Sequence, residues 1–179
     1  FTKQSFKDFP NIRISDLSFN SQVVISDANP QQKDYNWGTA ELVNWSSLDG
    51  FDLTGMLIKP ENFDPNKKYP LLMFQYSGPG SQQVANKWNN LNDYWHQSLA
   101  QEGYIVACAD GRGTGFRGSK FKKVTYMKLV YFETLDQIEA ARKLGQETFI
   151  DEDRIGIWGW SYGGHMSTNC LLKGNDVFS

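Results

Sequence analysis

From Pro70 onward, the sequence alternates between short apolar runs and longer segments with apolar residues at helical spacing. Two of the runs, Pro70–Tyr76 and Tyr104–Ala109, have the length and apolar content of strands buried on both faces of a parallel sheet. A third strand is expected at Arg154–Trp158. Helices are expected over about 91–99, 133–144 and 162–173, followed closely by Gly103, Gly145 and Gly174. This alternation of strands and helices predicts an α/β fold.

The first part of the chain predicts strands without helices. Apolar residues between positions 12 and 25 lie among Ser and Asn, which is typical of short antiparallel strands joined by turns. The polar segment Ser26–Asn36 has no periodicity and is interpreted as a linker. The apolar runs Ala40–Trp45 and Phe51–Lys59 flank Asp49-Gly50, a strong hairpin signal because both residues tolerate positive φ. We therefore expect a β-rich segment ahead of the α/β part.

The composition excludes several classes of protein. Lys and Arg number 18 and Asp and Glu 20, so the net charge of −2 gives no electrostatic footprint for nucleic acid. Hydrophobic residues make up 40%, which is ample for a packed core. No apolar run approaches the ~18 residues of a membrane-spanning helix, and the first residues lack the order of a signal peptide. Cys108 and Cys170 are too few for a four-ligand zinc site, and neither a metal nor a cofactor is expected.

The segment Gly159-Trp160-Ser161-Tyr162-Gly163 matches the pattern G-x-S-x-G. This pattern produces a sharp strand-to-helix turn that lifts the serine above the sheet edge, and the glycines avoid collisions within the turn. An apolar strand precedes the motif and a helix ending near Gly174 follows it, which is the context that the pattern requires. The alternative is a glycine-rich turn with an inert serine. The arrangement favours Ser161 as a nucleophile.

A nucleophilic serine of this kind needs an oxyanion hole made of two hydrogen-bond donors. One donor is the N–H of the residue after the nucleophile, here Tyr162, and the other comes from a loop after an earlier strand. The loop Tyr76–Gly80 directly follows the strand expected at Pro70–Gln75. Tyr76 could supply either its N–H or its phenol, or it could simply end a buried strand.

The chain contains two histidines, and neither is placed to act as the general base. His96 precedes Ser161 on a predicted helix and is interpreted as an exposed or capping residue. His165 lies one helical turn after Ser161 and could reach it only by unwinding that helix. In this fold the triad follows the order Ser, Asp or Glu, His, and Asp176 is the one acid after the serine. The chain thus has a nucleophile without a general base.

Five segments resemble the prolyl oligopeptidase family, and specifically its dipeptidyl peptidase IV branch. They are Lys68–Leu72, Tyr76–Pro79, Asp110–Gly115, Asp136–Arg142 and Ile155–Gly164. The resemblance runs from about Ala40 to the end of the chain. Trp160 before the serine and Tyr162 after it are typical of this branch, and the bacterial members are the most similar.

The resemblance implies an α/β-hydrolase domain joined to a β-propeller, in a serine exopeptidase that releases N-terminal dipeptides with Pro or Ala at the penultimate position. Ser161 would form the acyl-enzyme, and the Tyr76 hydroxyl and the Tyr162 N–H would be the oxyanion donors. Residues 1–36 would be the end of the propeller and the connector. Residues 37–179 would be the N-terminal portion of the catalytic domain.

The chain departs from the family pattern because the triad Asp and His are expected after residue 179. Residues 1–179 alone are therefore expected to be inactive, and the outer edge of the strand Arg154–Trp158 is expected to be unpaired. His165 stands where this branch often has an aromatic residue. For the full-length protein the resemblance implies a peptide substrate, a homodimer, and a bacterial periplasmic or secreted location.

A second motif, Gly113–Gly118, matches the dinucleotide-binding pattern G-x-G-x-x-G, with Glu133 about 20 residues further on. Three features oppose that function. Glu133 begins a predicted helix instead of ending a strand, Asp110–Arg112 separates the strand from the first glycine, and Phe116-Arg117 adds bulk where a pyrophosphate would approach the backbone. Another α/β-hydrolase acting on peptides or esters, and a binding module with an inert serine, stay open as alternatives.

Overall fold

The computed structural model describes residues 1–88 and 91–179, without the side chains of residues 91–93. Its first elements are two short antiparallel strands, β1 (Arg13–Ser15) and β2 (Gln22–Val24), which confirm the strands predicted there. The segment interpreted as a linker contains a 3-10 helix, Pro30–Asp34. The proline at its start explains this helix, because the ring holds φ close to the helical value.

Five strands form a second, mixed sheet. They are β3 (Thr39–Ser46), β4 (Asp52–Lys59), β5 (Tyr69–Phe74), β6 (Ile105–Asp110) and β7 (Ile150–Trp158). The order in the sheet is β3-β4-β6-β5-β7. β4 is antiparallel to β3 and β6, whereas β5 is parallel to β6 and β7. The predicted hairpin and the predicted parallel strands are both confirmed. Within the described residues, β7 pairs on one side only, as expected.

In residues 1–88 and 91–179, four α-helices connect or follow these strands. They are α1 (Leu91–Gln101), α2 (Gly118–Lys123), α3 (Tyr131–Gly145) and α4 (Tyr162–Lys173). The sequence predicts all of them except α2, whose single buried residue, Phe121, produces no helical period. No helix within the described residues has both the length and the apolar content needed to cross a membrane.

The two faces of the mixed sheet carry separate cores, because neighbouring residues of a strand point to opposite faces. Leu57 and Ala107 belong to the larger cluster, which includes residues of α3 and α4. Their neighbours Ile58 and Val106 pack with Ala100 of α1 in a smaller cluster. β6, all of whose residues are buried, therefore lies between helices on both faces, as its apolar sequence predicts.

His96 is buried, so the interpretation of this residue as exposed or capping is wrong. Its side chain is 1% exposed, and its ring centroid lies 4.8 Å from that of Phe74 and 5.7 Å from that of Trp158. The physical reason is the rotation of α1, which turns His96 towards the sheet and leaves Trp95 46% exposed. An imidazole offers an apolar body that packs well against aromatic rings.

Candidate active site

Ser161 lies in the turn between β7 and α4. Its backbone has φ 57° and ψ −118°, a conformation that residues with a side chain rarely adopt. The turn is held by the Gly163 N–H, which donates to the Trp160 carbonyl at 2.8 Å, and by the His165 N–H, which donates to the Ser161 carbonyl at 3.1 Å. The side chain of Ser161 is exposed. This geometry is that of the strand-to-helix turn that presents a nucleophilic serine.

The two glycines of the motif are required by close contacts with the end of β5. A Cβ atom on Gly159 would collide with the carbonyl oxygen of Gln75, and one on Gly163 would come within 2.5 Å of the same oxygen. Neither position leaves room for any side chain. The pattern G-x-S-x-G therefore has a direct structural cause here, since the turn is pressed against the neighbouring strand.

The buried side chain of Gln75 ties the beginning of α4 to the end of β5. Its Nε2 donates to the carbonyl of Gly163 at 2.6 Å and to the hydroxyl of Ser167 at 3.0 Å. Gln75 is fully buried, so these bonds are made in a place that water does not reach. A bond in such surroundings is costly to lose, because the freed amide would stay buried without a partner.

Tyr76 follows Gln75 and lies beside Tyr162, with the ring centroids 6.2 Å apart. The ring of Tyr76 rests against Gly78, where a Cβ atom would collide with the ring carbon Cε1 and come within 2.9 Å of Cδ1. The glycine therefore allows the phenol to fold back over its own loop. The structure thus places the ring of Tyr76 beside that of Tyr162, the residue that follows Ser161, and their roles as nucleophile and oxyanion donors stay a prediction.

The phenol of Tyr162 is anchored by Glu133, to whose Oε1 it donates a hydrogen bond of 3.0 Å. Burial, and then the negative charge of Glu133, raise the pKa of Tyr162 to about 12. Burial also raises the pKa of Glu133, against the hydrogen bonds that it accepts from its own backbone and from Tyr162. At neutral pH the phenol therefore stays protonated and can act as the donor in this pair.

A buried ion pair fixes the loop that follows β6. Arg112 is 2% exposed and its Nη2 lies 2.6 Å from Oδ1 of Asp136 in α3. Its Nε lies 3.0 Å from both carboxylate oxygens, and its backbone N–H donates to Oδ2 at 2.7 Å. Burial alone would lower the pKa of Arg112, but the hydrogen bonds and charge of Asp136 outweigh it and raise the pKa. The loop is thus held to α3 by charged and backbone contacts together.

The sequence of this chain matches the prolyl oligopeptidase family model over residues 89–179, about half of its length. The chain belongs to the prolyl oligopeptidase family. Among curated relatives, it is 44% identical over 132 residues to the probable dipeptidyl-aminopeptidase B of Ajellomyces capsulatus (strain H88). It is 48% identical over 126 residues to the protein of that name from Arthroderma benhamiae. These matches cover 74% and 70% of this chain and 14% of each relative, so the chain spans about one seventh of their length.

Solved structures of this family superpose on nearly the whole chain. The crystal structure of Porphyromonas gingivalis dipeptidyl peptidase 4 matches with a TM-score of 0.87 at 39% identity, covering 99% of this chain and 25% of that one. The structure of a putative dipeptidyl aminopeptidase IV from Bacteroides ovatus matches with a TM-score of 0.86 at 35% identity, covering 98% and 25%. The family identified from the sequence is thereby confirmed.

His165 and Asp176, the histidine and the acid that follow Ser161 in this member of the prolyl oligopeptidase family, both contact other side chains. His165 is exposed on α4, where the Nδ2 of Asn169 lies 3.4 Å from its Nε2 and also donates to its backbone carbonyl at 2.9 Å. Asp176 is exposed and pairs with Arg142 at 2.7 Å. Both side chains thus have other partners, and that neither serves Ser161 stays a prediction.

The glycine motif Gly113–Gly118 does not have the geometry of a dinucleotide site. The N–H of Gly113 donates to the Phe121 carbonyl at 3.1 Å, and a Cβ atom there would come within 2.7 Å of Thr125. Glu133, which would bind the ribose, lies in α3 and is fully buried. The segment instead forms a loop that packs on its own following helix.

The anchoring residues around the site were not found from the sequence. Gln75 looks like part of an apolar run, and Glu133 and Asp136 look like the polar face of a helix. One sequence feature does point to them: some polar residues of α3 lie at positions that the helical spacing turns towards the core. Such residues are expected to be paired when they are buried.

Proposed function

We propose that this chain is the nucleophile-bearing part of the catalytic domain of a serine dipeptidyl exopeptidase. In this proposal residues 37–179 are the N-terminal portion of an α/β-hydrolase domain, and residues 1–36 are the end of a β-propeller and the connector. The substrate is a peptide whose N-terminal dipeptide has Pro or Ala at its second position. The observation that carries the proposal is the exposed Ser161 in its strained turn, followed by Tyr162, whose ring lies beside that of Tyr76.

The reaction requires a covalent intermediate on Ser161. Its Oγ attacks the scissile carbonyl, and the proton passes to a histidine supplied by a later part of the full-length protein. The Tyr76 hydroxyl and the Tyr162 N–H donate to the oxyanion that forms. When the C–N bond breaks, the histidine protonates the departing amine, and water then releases the dipeptide and restores Ser161. Residues 1–179 alone lack that histidine and are proposed to be inactive.

The test uses the full-length protein with a Gly-Pro chromogenic dipeptide and, in parallel, a simple ester and a fluorophosphonate probe. Release of the chromogen with labelling of Ser161 supports the dipeptidyl peptidase. Turnover of the ester alone supports another α/β-hydrolase. A protein that neither cleaves the dipeptide nor takes up the probe contradicts the proposed function.

Substitution of Tyr76 by phenylalanine is expected to lower kcat by about 10²- to 10³-fold, the usual cost of losing one oxyanion donor. The KM should change little, because the hydrogen bond forms mainly in the transition state. Steady-state kinetics of the full-length protein measure both values. Tyr104→Phe is a matched control, since Tyr104 is a partly exposed tyrosine just before β6 that is not among the proposed site residues. A Tyr76→Phe variant with the kcat of the parent would exclude the hydroxyl as a donor.

A further inference from the structure

We propose that Glu133 and Gln137 of helix α3 are positioning residues that hold the two oxyanion donors in place. Glu133 acts on Tyr162, and Gln137 acts on Ser77, the residue next to Tyr76. The inference rests on the proposed function, because it concerns the geometry of that same oxyanion hole.

Glu133 is fully buried, and within the described part of the chain its side-chain partner is the hydroxyl of Tyr162. Its second oxygen, Oε2, is buried with no hydrogen-bond partner among the described residues. A carboxyl group in such surroundings is costly for the fold. Besides backbone N–H groups, the carboxyl group contacts Tyr162, the residue whose N–H is the proposed donor, which links this cost to the site.

Gln137 lies one helical turn after Glu133 and shares its face of α3. Its Nε2 donates to the Ser77 hydroxyl at 3.1 Å and to the carbonyl of Ala109 at 2.9 Å. Gln137 is fully buried and Ser77 is 1% exposed. The amide therefore joins the end of β6 to the loop that carries Tyr76.

The backbone conformation of Ser77 explains why that loop needs a partner. Its φ of 58° is left-handed, which a residue with a side chain adopts only when its surroundings impose it. Ser77 directly follows Tyr76, and the turn that it makes brings Gly78 back against the Tyr76 ring, so the conformation of Ser77 affects how that ring packs. Val130, which precedes α3, also has a left-handed backbone, with φ 74°. Its packing against the larger hydrophobic cluster holds it in that conformation.

The two contacts have a common consequence for catalysis. The side chains of Glu133 and Gln137 are fully buried and cannot touch a substrate. They can therefore act only through Tyr162 and Tyr76. A displacement of about 1 Å at a catalytic group can cost about 10²-fold in rate. Because oxyanion donors act mainly in the transition state, loss of either contact should lower kcat and leave KM nearly unchanged.

The first experiment compares Glu133→Ala, Tyr162→Phe and the double variant in the full-length protein, with a Gly-Pro chromogenic dipeptide. Each single variant is expected to lower kcat by about 10- to 100-fold with KM within about twofold, and the double variant should lose little more than either. Glu133→Gln should recover most of the kcat, because an amide oxygen can accept the same hydrogen bond.

The matched control is Glu139→Ala, which removes another carboxyl group from the same helix. Glu139 accepts a hydrogen bond from the backbone of Leu48 at 3.2 Å, and this substitution should leave kcat unchanged. An equal loss of kcat in Glu139→Ala, or additive losses in the double variant, would overturn the role of Glu133. Tyr162→Phe removes one hydroxyl and decides the question if Glu133→Ala fails to fold, because an unchanged kcat there also overturns it.

Ser77→Ala tests the second contact, since it removes the oxygen that Gln137 binds. We expect a lower kcat at constant KM, and an unchanged kcat would overturn the role of Gln137. These outcomes differ from failure of the proposed function. In that case the unsubstituted protein itself would not cleave the dipeptide and Ser161 would not be labelled.

Discussion

Substitution of Ser161 by alanine in the full-length protein is expected to lower kcat for a Gly-Pro chromogenic dipeptide by about 10⁶-fold. In the proposed mechanism the hydroxyl is the atom that forms the acyl-enzyme, and no other described side chain in the turn can replace it. Dipeptide binding should survive, because the substitution removes one oxygen from an exposed position. Steady-state kinetics and equilibrium binding of a dipeptide product measure the two effects separately.

Two variants make this result specific. Ser119→Ala removes an exposed serine at the start of α2 and should leave kcat unchanged. His165→Ala should keep kcat within about tenfold of the parent, because in the proposed mechanism the base is a histidine from a later part of the full-length protein. If His165→Ala lost as much activity as Ser161→Ala, the base would lie within this chain and the proposed mechanism would be wrong.

Substitution of Asp136 by alanine is expected to lower the free energy of unfolding by about 3–5 kcal/mol. The Arg112 guanidinium would stay buried, and its one remaining acidic partner would be Asp49, whose side chain is 58% exposed. The backbone N–H of Arg112 would lose its acceptor as well. Urea denaturation of the full-length protein measures the change.

The exposed pair Arg142–Asp176 is a matched control, since its side chains are 54% and 62% exposed. Asp176→Ala should cost at most about 1 kcal/mol, as is usual for a solvated ion pair. The double substitution Arg112→Met with Asp136→Leu should be less destabilising than Asp136→Ala alone, because it leaves no unpaired charge. Equal effects of Asp136→Ala and Asp176→Ala would show that burial does not strengthen the Arg112 contact.

Local patterns were enough to predict the sheet, three helices and the turn at Ser161. α4 begins and ends where its spacing and Gly174 place it, and β6 is as buried as its apolar run requires. These features depend on residues close together in the sequence. The prediction that His96 is exposed or capping is wrong. Helical spacing shows which residues share a face, but it does not show that a histidine belongs to the buried face.

The anchors of the site could not be predicted because they join distant parts of the chain. Gln75 reaches Gly163 across 88 positions, and Gln137 reaches Ser77 across 60. A pattern along one helix shows Glu133 and Gln137 as polar residues one turn apart and does not show which strand ends they meet. Their partners are fixed by the crossover that places β5 between β6 and β7.

The unusual backbone of Ser161 bears on how the protein would be inactivated by heat. Its conformation costs about 1–3 kcal/mol and persists only while the surrounding contacts impose it. Opening of the first turn of α4 would release that energy, but it would also break the buried bonds from Gln75 to Gly163 and Ser167. The active conformation of the serine should therefore be lost together with the packing of α4 on the sheet, and restoring that packing should restore it.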